Sequence, residues 1–513
     1  MRPNILVFMT DQEQGAVLHP DHPCITPHAS QFAREGVLFD NAFCPSPHCC
    51  PSRATFMTGL YPSRHGIYNN VMNPSAIHYG LYDGVQMFSE LLAESGYNTA
   101  FAGKWHVSAM EDPSDREWEQ LEITAGIGTK HYLPIEAYRT RQFDETRRWG
   151  QVVRPGWGNF VVFDSYESPT PNGYEDHDDY RVVKSGIDAL PRLAAQEEPW
   201  FLFIGPVGPH DPFVVEKRYV DMYNLDDIPL PPNYHDDLSD KPGVYQRMRQ
   251  QFWSQLSDDE VRDSIRHYWA FCTMEDMMFG EVLAALEATG QADNTLVLRL
   301  SDHGDYCGAH GLYLKGVPSF REAYNIGMIA RWPKGIANPG REDNRFVTLA
   351  DFMPTFLELA GVEAPYSLSG RSVAPLLRDE PVEWDNTFYT QLNGVELYYS
   401  QRIVATDTHK YVYNGFDFDE LYDLTADPYE LKNVAKDPAY DEVKHDLVRR
   451  MWRFAERERD ELIFNNYGTL AFAPWGPADA LQNNAAPSDA LPSDAAPNNA
   501  LPSDAVSGDT GSA

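Results

Sequence analysis

Cysteine and long apolar runs are both scarce in this chain. Six cysteines in 513 residues are too few for a disulfide scaffold, so we expect free thiols in a reducing compartment. No apolar run approaches the ~20 residues that a membrane-spanning helix needs. The run from Ile5 to Met9 is also too short for the core of a signal peptide. These absences predict a soluble, cytoplasmic protein without a membrane partner.

Basic residues are also in deficit. The chain has 41 Lys and Arg residues against 76 Asp and Glu residues, a formal net charge of −35. Long-range repulsion therefore disfavours nucleic acids and anionic membrane surfaces as partners. An anionic substrate would need a locally positive pocket.

Short apolar runs that end in polar or glycine-rich turns predict buried strands of a largely parallel sheet. These runs are Asn4 to Met9, Thr99 to Ala102, Trp200 to Ile204, Thr295 to Leu300 and Ile326 to Ala330. Segments of helical period lie between them: Val85 to Leu92 closed by Gly96, Asp258 to Thr289, and Asp351 to Gly361. Alternating strands and helices predict an α/β sandwich.

The length and the change of pattern along the chain predict more than one domain. We expect residues 1–365 to form the catalytic domain. Shorter strand-like runs and a helix near Tyr440 to Leu462 predict a small α+β domain over residues 366–473. Residues 474–513 contain a five-residue repeat that starts at Ala485 and is rich in Ala, Pro, Ser, Asp and Asn. We expect this tail to be disordered, because it offers no large apolar side chains to bury.

Polar residues follow four of the predicted strands. They are Asp11 and Gln12, Lys104 and His106, His210 and Asp211, and Asp302 and His303. Ligands of parallel α/β sheets gather beyond the carboxyl ends of the strands, so one edge should hold carboxylates, imidazoles and an ammonium group. Such a site suits Ca²⁺, Mg²⁺ or Mn²⁺, and His303 shifts it towards a transition metal. The alternative is that Asp11 and Asp302 are ordinary helix N-caps.

The stretch CPSPHCCPSRATFMTG, from Cys44 to Gly59, contains C-x-P-S-R at Cys49 to Arg53. It resembles the signature of the sulfatase family, in which the first cysteine is oxidised to formylglycine. Pro51 and Ser52 predict the start of a helix whose N–H groups add partial positive charge. The alternative is a structural zinc site built from Cys44, His48, Cys49 and Cys50, although no second ligand pair lies nearby in the sequence.

The resemblance covers residues 3 to 470, through NILVFMTDQ, GYNTAFAGKWH, GPVGPHDPF, SDHGDYCGAHGLYLKG and ELYDLTADPYELKN. It implies an alkaline-phosphatase-like sandwich with a mostly parallel central sheet and a smaller C-terminal α+β domain. It also implies a sulfuric ester hydrolase. One metal-activated hydroxyl of the hydrated aldehyde attacks sulfur, and deprotonation of the second hydroxyl then expels sulfate.

The resemblance assigns roles to individual residues. One divalent metal, with calcium expected first and manganese or magnesium as alternatives, would be held by Asp11, Gln12, modified Cys49, Asp302 and His303. The catalytic set would be Cys49, Arg53, Lys104, His106, His210 and Lys315. Its cations would stabilise the negative charge of the transition state, and His106 would help to deprotonate the diol. Asn70 and His310 would contact the substrate, although His310 beside Gly311 is equally a turn histidine bonded to the backbone.

Two pairs depart from the commonest family pattern. Asp11-Gln12 and Asp302-His303 resemble the branch that contains phosphonate monoester hydrolases and choline sulfatases, whereas Lys104-Trp105-His106 resembles arylsulfatases. We therefore expect hydrolysis of small-molecule or saccharide sulfate esters, with phosphonate monoester or phosphodiester hydrolysis as the alternative. A non-catalytic binding protein would lack the nucleophile or metal ligands, and the sequence lacks neither.

The resemblance also implies two protein partners. A formylglycine-generating or sulfatase-maturating enzyme would modify Cys49. A homodimer or homotetramer is the expected assembly.

Overall fold

In this computed structural model, the structure describes residues 2–73, 75–125, 144, 146–154, 158–316, 319–394, 398–415, 417–464 and 475–478. The tail predicted to be disordered therefore lies outside the described residues, except for 475–478. No helix in these ranges is long and apolar enough to cross a bilayer. The six cysteines are buried free thiols, as expected.

The strands form from the short apolar runs of the sequence, and those at the centre of the main sheet are buried throughout. In the described part of the chain the strands are β1 (Asn4–Thr10), β2 (Val37–Phe39), β3 (Ala42–Phe43), β4 (Asn98–Lys104), β5 (Glu119–Ala125), β6 (Gln151–Arg154), β7 (Gly158–Val161), β8 (Phe163–Tyr166), β9 (Trp200–Gly205), β10 (Phe213–Glu216), β11 (Thr295–Ser301), β12 (Met328–Arg331), β13 (Arg341–Glu342), β14 (Val347–Thr348), β15 (Phe388–Leu392), β16 (Gln401–Ala405), β17 (His409–Asn414) and β18 (Glu420–Asp423).

The α-helices range in length from single turns to the 31 residues of α8. They are α1 (Pro27–Arg34), α2 (Cys49–Thr58), α3 (Pro62–His65), α4 (Phe88–Glu94), α5 (Asp178–Ala194), α6 (Lys217–Val220), α7 (Gly243–Gln251), α8 (Asp258–Ala288), α9 (Arg321–Tyr324), α10 (Phe352–Ala360), α11 (Ala374–Leu377), α12 (Asp441–Arg457) and α13 (Glu461–Phe464). Short 3₁₀ turns lie at Gly15–Leu18, Pro113–Arg116, Leu225–Asp227, Trp253–Gln255, Ala292–Asn294, Ala309–Gly311, Leu349–Asp351 and Pro438–Tyr440.

The main sheet has the strand order β13-β2-β12-β11-β1-β9-β4-β5. Strand β1 is parallel to both β11 and β9, and β4 is parallel to β9 and β5. The strand predicted near Ile326 to Ala330 is β12, which runs antiparallel to β11. A parallel return needs a crossover element, and the described residues between these strands contain only single turns of helix.

Helices cover both faces of this sheet. On one face α8 lies with the ring of Phe279 centred 5.2 Å from that of Phe8. On the other face α2 lies with the ring of Phe56 centred 6.2 Å from that of Phe203 and 5.6 Å from Phe88 of α4. The layered α/β sandwich is therefore confirmed, and α2 places its first residue, Cys49, at the edge of the sheet.

Strands β15 to β18 form a separate antiparallel sheet that packs on α12. Met451 and Trp452 of α12 are buried against Val404 and Leu421 of this sheet. The C-terminal α+β unit is thus confirmed, while its boundary at residue 365 stays a prediction. Lys410 of β17 joins the two units by donating a hydrogen bond to the carbonyl of Ser319, 2.6 Å away.

Candidate active site

The carboxyl ends of β1, β4, β9 and β11 meet at one edge of the main sheet, as the sequence predicted. Asp11 follows β1, Lys104 ends β4, and Asp302 follows β11. The N–H of Asp302 donates to the carbonyl of Thr10 at 3.2 Å, and that of Asp11 donates to the carbonyl of Gly208 at 3.1 Å. Parallel pairing therefore brings distant parts of the sequence to one place.

Four side chains that can bind a metal converge at this edge. Sγ of Cys49 lies 3.2 Å from Nε2 of His303 and 3.9 Å from Oδ1 of Asp11. Nε2 of His303 lies 3.7 Å from Oδ1 of Asp11 and 3.6 Å from Oδ1 of Asp302. All four side chains are buried, and their ligand atoms lie within 4.8 Å of one another.

The chemistry of this group fits a divalent cation. Oδ2 of Asp11 accepts hydrogen bonds from Arg53 and Lys104, and Oδ2 of Asp302 accepts one from Arg53 at 2.8 Å. Oδ1 of Asp302 accepts the N–H of Gln12 at 3.1 Å, and both Oδ1 atoms lie within 3.7 Å of Nε2 of His303. Nδ1 of His303 faces the carbonyl of Gly304 at 2.9 Å, so Nε2 carries the lone pair that a metal needs. Carboxylate oxygens with one imidazole suit the metals expected from the sequence.

The sequence raised two alternatives: that Asp11 and Asp302 are helix N-caps, and that the cysteines near Cys49 form a structural zinc site. Neither matches this geometry. Neither Asp11 nor Asp302 caps a helix in the described chain, and the 3₁₀ turn after β1 has Gln14 at its N-cap. The thiol of Cys50 accepts the N–H of Val71, and that of Cys44 faces the carbonyl of Ala323. These two thiols lie outside the group around Cys49.

Helix α2 begins at Cys49, two residues before Pro51, and presents its N-terminus to the site. Arg53 lies one turn later and is 1% exposed. Its Nη1 donates to the carbonyl of Lys104 at 2.9 Å, and with its bonds to Asp11 and Asp302 it fixes the helix against the ends of three strands. Asn70 accepts the N–H of Cys50 at 3.2 Å and thus lies beside the same N-terminus.

The site stabilises negative charge at the position of the Cys49 sulfur. Burial raises the pKa of this thiol, but Lys104, Lys315 and His303 together hold the pKa well below its ordinary value. An anionic oxygen at this position would be stabilised by the same charges. Burial, followed by the charge of Lys104, lowers the pKa of His106 to about 4. His106 is therefore neutral near pH 7 and able to accept a proton.

Lys315 and His210 form the side of the site that reaches solvent, with side chains 11% and 25% exposed. Nζ of Lys315 contacts Oε1 of Gln12, whose Nε2 donates to Asp211 at 3.0 Å and to Asp305 at 2.5 Å. The Gln12 side chain is therefore engaged with this rim. Its role as a metal ligand stays a prediction.

Sequence reasoning assigned no role to Asp211, to Asp305 or to the ion pair between Glu13 and Arg299. The signals were present for two of them, because Asp211 directly follows His210 and Asp305 lies in the SDHGD stretch. Burial raises the pKa of Asp305 to about 7. Glu13 and Arg299 are fully buried and lie 2.7 Å apart. Nothing in the sequence connected these two residues, because the pairing depends on strand register.

The structure does not bring His310 to this group. Its ring is fully buried, is stacked 3.5 Å from the ring of Phe320, and bonds Asp236 through Nδ1 at 2.7 Å. These contacts belong to a second cluster nearer the C-terminal domain. The other predicted site residues, including Asn70, His106, His210 and Lys315, lie around Cys49 or on the rim described above.

A cavity of 440 Å³ adjoins the exposed side of the site. His210 and Asp211 form part of its wall. Aromatic and acidic side chains complete the lining, among them Tyr166, His177, Phe271, Asp176 and Asp178. A group attached to a substrate held beside His210 has space here.

Comparisons with known proteins agree with this architecture. The structure of the phosphonate monoester hydrolase of Agrobacterium radiobacter superposes with a TM-score of 0.73 at 21% identity, covering 89% of this chain and 96% of that one. That likeness confirms the fold. Choline-sulfatase of Rhizobium meliloti is 30% identical over 461 residues, which are 85% of this chain and 83% of that protein. Arylsulfatase of Clostridium perfringens is 28% identical over 486 residues, covering 88% and 94%.

Family models match almost the whole described chain. The model of the N-sulphoglucosamine sulphohydrolase C-terminal region matches residues 308–457. The sulfatase model matches residues 3–362, a range that holds Cys49 and each side chain gathered around it. The chain belongs to the sulfatase family.

Proposed function

We propose that this sulfuric ester hydrolase cleaves sulfate monoesters with a formylglycine made from Cys49 and one divalent metal. The observation that carries the proposal is the convergence of Asp11 Oδ1, Asp302 Oδ1 and His303 Nε2 on the Cys49 sulfur at the start of α2. A host formylglycine-generating or sulfatase-maturating enzyme would modify Cys49. Calcium is the first candidate for the metal, with manganese or magnesium as alternatives.

The modified residue and the metal supply the chemistry that a cysteine alone does not. The hydrated aldehyde would offer one hydroxyl to attack sulfur and a second to lose its proton so that sulfate is released, and a metal held by Asp11, Asp302 and His303 would lower the pKa of the attacking hydroxyl. Unmodified cysteine has no second hydroxyl and would retain the sulfate. The proposal therefore requires conversion of Cys49.

The chain's own residues would bind the sulfate and move protons. The charges of Lys104, which is buried, and of Lys315, at the exposed side of the site, both act on Cys49, and these two cations would bind sulfate oxygens. Arg53, which lies one turn after Cys49 on the same face of α2, would hold the modified side chain. His106, neutral at its lowered pKa, would accept the proton of the second hydroxyl.

The leaving group would enter the cavity beside His210. His210 lines this cavity and its Nε2 lies 2.8 Å from Nζ of Lys315, so either side chain would be placed to donate a hydrogen bond to the leaving oxygen. The cavity is large enough for a sugar or aryl ring, and both sulfated saccharides and small sulfate esters are candidate substrates. Relatives of this chain include the N-acetylglucosamine-6-O-sulfatase of Bacteroides thetaiotaomicron, 24% identical over 531 residues.

Phosphonate monoester or phosphodiester hydrolysis is the second candidate. It is favoured by the Asp11-Gln12 and Asp302-His303 pairs and by the likeness in fold to the phosphonate monoester hydrolase. Lys104-Trp105-His106 favours sulfate esters. The same nucleophile and cations would serve both reactions.

The test is peptide mass spectrometry across Cys44 to Arg53 on protein made with a formylglycine-generating enzyme. Parallel assays use 4-nitrophenyl sulfate and a phenyl phosphonate monoester on the same sample. A loss of ~18 Da at Cys49 with chelator-sensitive turnover supports covalent catalysis by the modified residue, and the faster substrate identifies the reaction.

Two variants provide the controls. Cys49→Ala should fold and lose turnover of both substrates, whereas Cys50→Ala removes a neighbouring buried thiol and should retain turnover if it folds. Equal activity of Cys49→Ala and the wild type would disprove the nucleophile.

A further inference from the structure

His310, Glu322 and Glu430 form a second group of metal-binding side chains outside the active site. Their ligand atoms all lie within 4.8 Å of one another. His310 lies in the turn before Lys315, Glu322 lies on α9, and Glu430 belongs to the C-terminal domain after β18. His310 is fully buried and Glu430 is 2% exposed. The group therefore sits where the two domains meet.

The orientation of His310 is typical of a metal ligand. Nδ1 lies 2.7 Å from Oδ2 of Asp236. Asp236 is itself held by Lys241 at 3.1 Å and by the N–H of Leu238 at 3.0 Å. A carboxylate that accepts the Nδ1 proton leaves the lone pair on Nε2, as in carboxylate–histidine–metal arrangements. Nε2 of His310 is buried and has no hydrogen-bond partner in the described chain.

Glu322 presents a second buried atom without a partner. Its Oε1 accepts a hydrogen bond from Nδ2 of Asn233 at 3.0 Å, whereas its Oε2 has no partner among the described residues. Oδ1 of Asn233 is also buried and unbonded in that part of the chain. Such atoms are costly unless another group satisfies them. A cation held by these atoms would satisfy the unpartnered Nε2 of His310 and Oε2 of Glu322 together.

Glu430 has hydrogen-bond and ion-pair partners, but its carboxylate can still bind a cation. One oxygen pairs with the ammonium group of Lys410, and the other accepts the N–H of Arg321 at 3.0 Å. A carboxylate offers about four lone-pair directions, so these contacts leave others available. Lys410 neutralises one carboxylate. Glu322 has no basic side chain within 4.0 Å in the described chain.

The backbone at two of these residues is left-handed. His310 has φ 53° and Glu430 has φ 57°. A non-glycine residue persists in this region only where surrounding contacts hold it. Two of the three ligands are therefore fixed in position by their local backbone.

We propose that His310 Nε2, Glu322 and Glu430 bind a first-row divalent cation such as zinc, with Oδ1 of Asn233 as a fourth ligand. The mixture of one nitrogen with oxygens suits zinc or manganese better than calcium. The ion links the C-terminal domain to the segment that carries Lys315. Its role is structural, since none of its ligands belongs to the group around Cys49.

The test measures metal per chain by mass spectrometry in full-length wild type, His310→Gln, Asp302→Asn and the double variant. His310→Gln should lose one ion per chain relative to the wild type, and the double variant should lose one relative to Asp302→Asn. The loss in the Asp302→Asn background separates this site from the catalytic one. His267→Gln is the control. It removes another buried histidine, which is bonded to the carbonyl of Asp263 at 2.7 Å, and this variant should keep the metal content of the wild type.

A second measurement does not depend on a variant that folds. Zinc added to chelator-treated wild type should raise Tm, and crystals measured at the zinc edge should show an anomalous peak between His310 and Glu322. Equal metal content in His310→Gln and the wild type, or no peak at this position, would overturn the proposal.

Discussion

Nζ of Lys315 lies 2.8 Å from Nε2 of His210. Burial lowers the pKa of Lys315, but the charges of Cys49, Asp211 and Asp11 raise it above its ordinary value. Lys315 is therefore charged. Burial and this charge lower the pKa of His210, but Asp211 and Asp11 outweigh them and raise it above its ordinary value. This contact forms the exposed side of the site, through which a substrate and its leaving group would pass.

Replacement of Lys315 by Met should lower kcat/KM for 4-nitrophenyl sulfate by roughly 10²–10³-fold, because one fixed donor to the developing charge is lost. Steady-state kinetics on modified enzyme measure this change. Lys217→Met is the matched control, since Lys217 is 47% exposed and pairs with Asp221 on α6. Equal kinetics for the two variants would exclude Lys315 from catalysis.

Arg53→Met should destabilise the protein before any metal is added. Arg53 joins two buried carboxylates, Asp302 and Asp11, of which Asp11 also pairs with Lys104. Removal of one partner from a buried ion network costs about 3–5 kcal/mol. Urea unfolding of the chelator-treated protein measures this loss. Arg378→Met removes a pair to Glu358 that is more than one-third exposed on both sides and should change stability little. If Arg53→Met lowered the free energy of unfolding as little as Arg378→Met does, the ion network of Arg53 with Asp11 and Asp302 would not stabilise the fold.

Gly103→Ala should lower both stability and turnover. Gly103 has φ 108°, and an added Cβ would lie 2.0 Å from the carbonyl oxygen of Gly205. Strands β4 and β9 would have to separate, and Lys104 would move with them. We expect a cost of about 2 kcal/mol or more.

Gly290→Ala is the control for this substitution, because φ is 72° and nothing lies within 4 Å of the added Cβ. It should show only the backbone cost, about 1–2 kcal/mol. Thermal unfolding and turnover distinguish the two variants. If Gly103→Ala retains full activity, Lys104 tolerates the displacement.

Stability should fall as the pH drops below 6.5, partly through His65. Burial lowers the pKa of His65 from 6.5 to about 3. The unfolded chain therefore binds a proton in this window and the folded chain does not, so the stabilisation is complete above pH 6.5 and decreases towards pH 3. The expected slope from this residue is about 1.4 kcal/mol per pH unit.

His65→Gln should flatten the dependence of unfolding free energy on pH by this amount, whatever its effect at pH 7. Both ring nitrogens of His65 are engaged in the fold, by the N–H of Ile67 at 3.0 Å and by Thr55 at 3.1 Å. An unchanged slope in His65→Gln would mean that this residue titrates alike in both states.

The sequence by itself determined the layered fold and most of the site. Apolar runs such as Trp200 to Ile204 have to be buried on both faces, and a signature as specific as Cys49 to Arg53 fixes the chemistry locally. Polar residues placed directly after strands predicted which edge would be functional, because parallel strands align their carboxyl ends.

Only the tertiary structure decided contacts that depend on register and on loop paths. It directed the Gln12 side chain to Asp211 and Asp305, paired Glu13 with Arg299, and turned β12 antiparallel. It also placed His310 with Glu322 and Glu430 instead of beside Cys49. Sequence spacing does not encode these contacts, since a turn in the left-handed region redirects a side chain without leaving a periodic pattern.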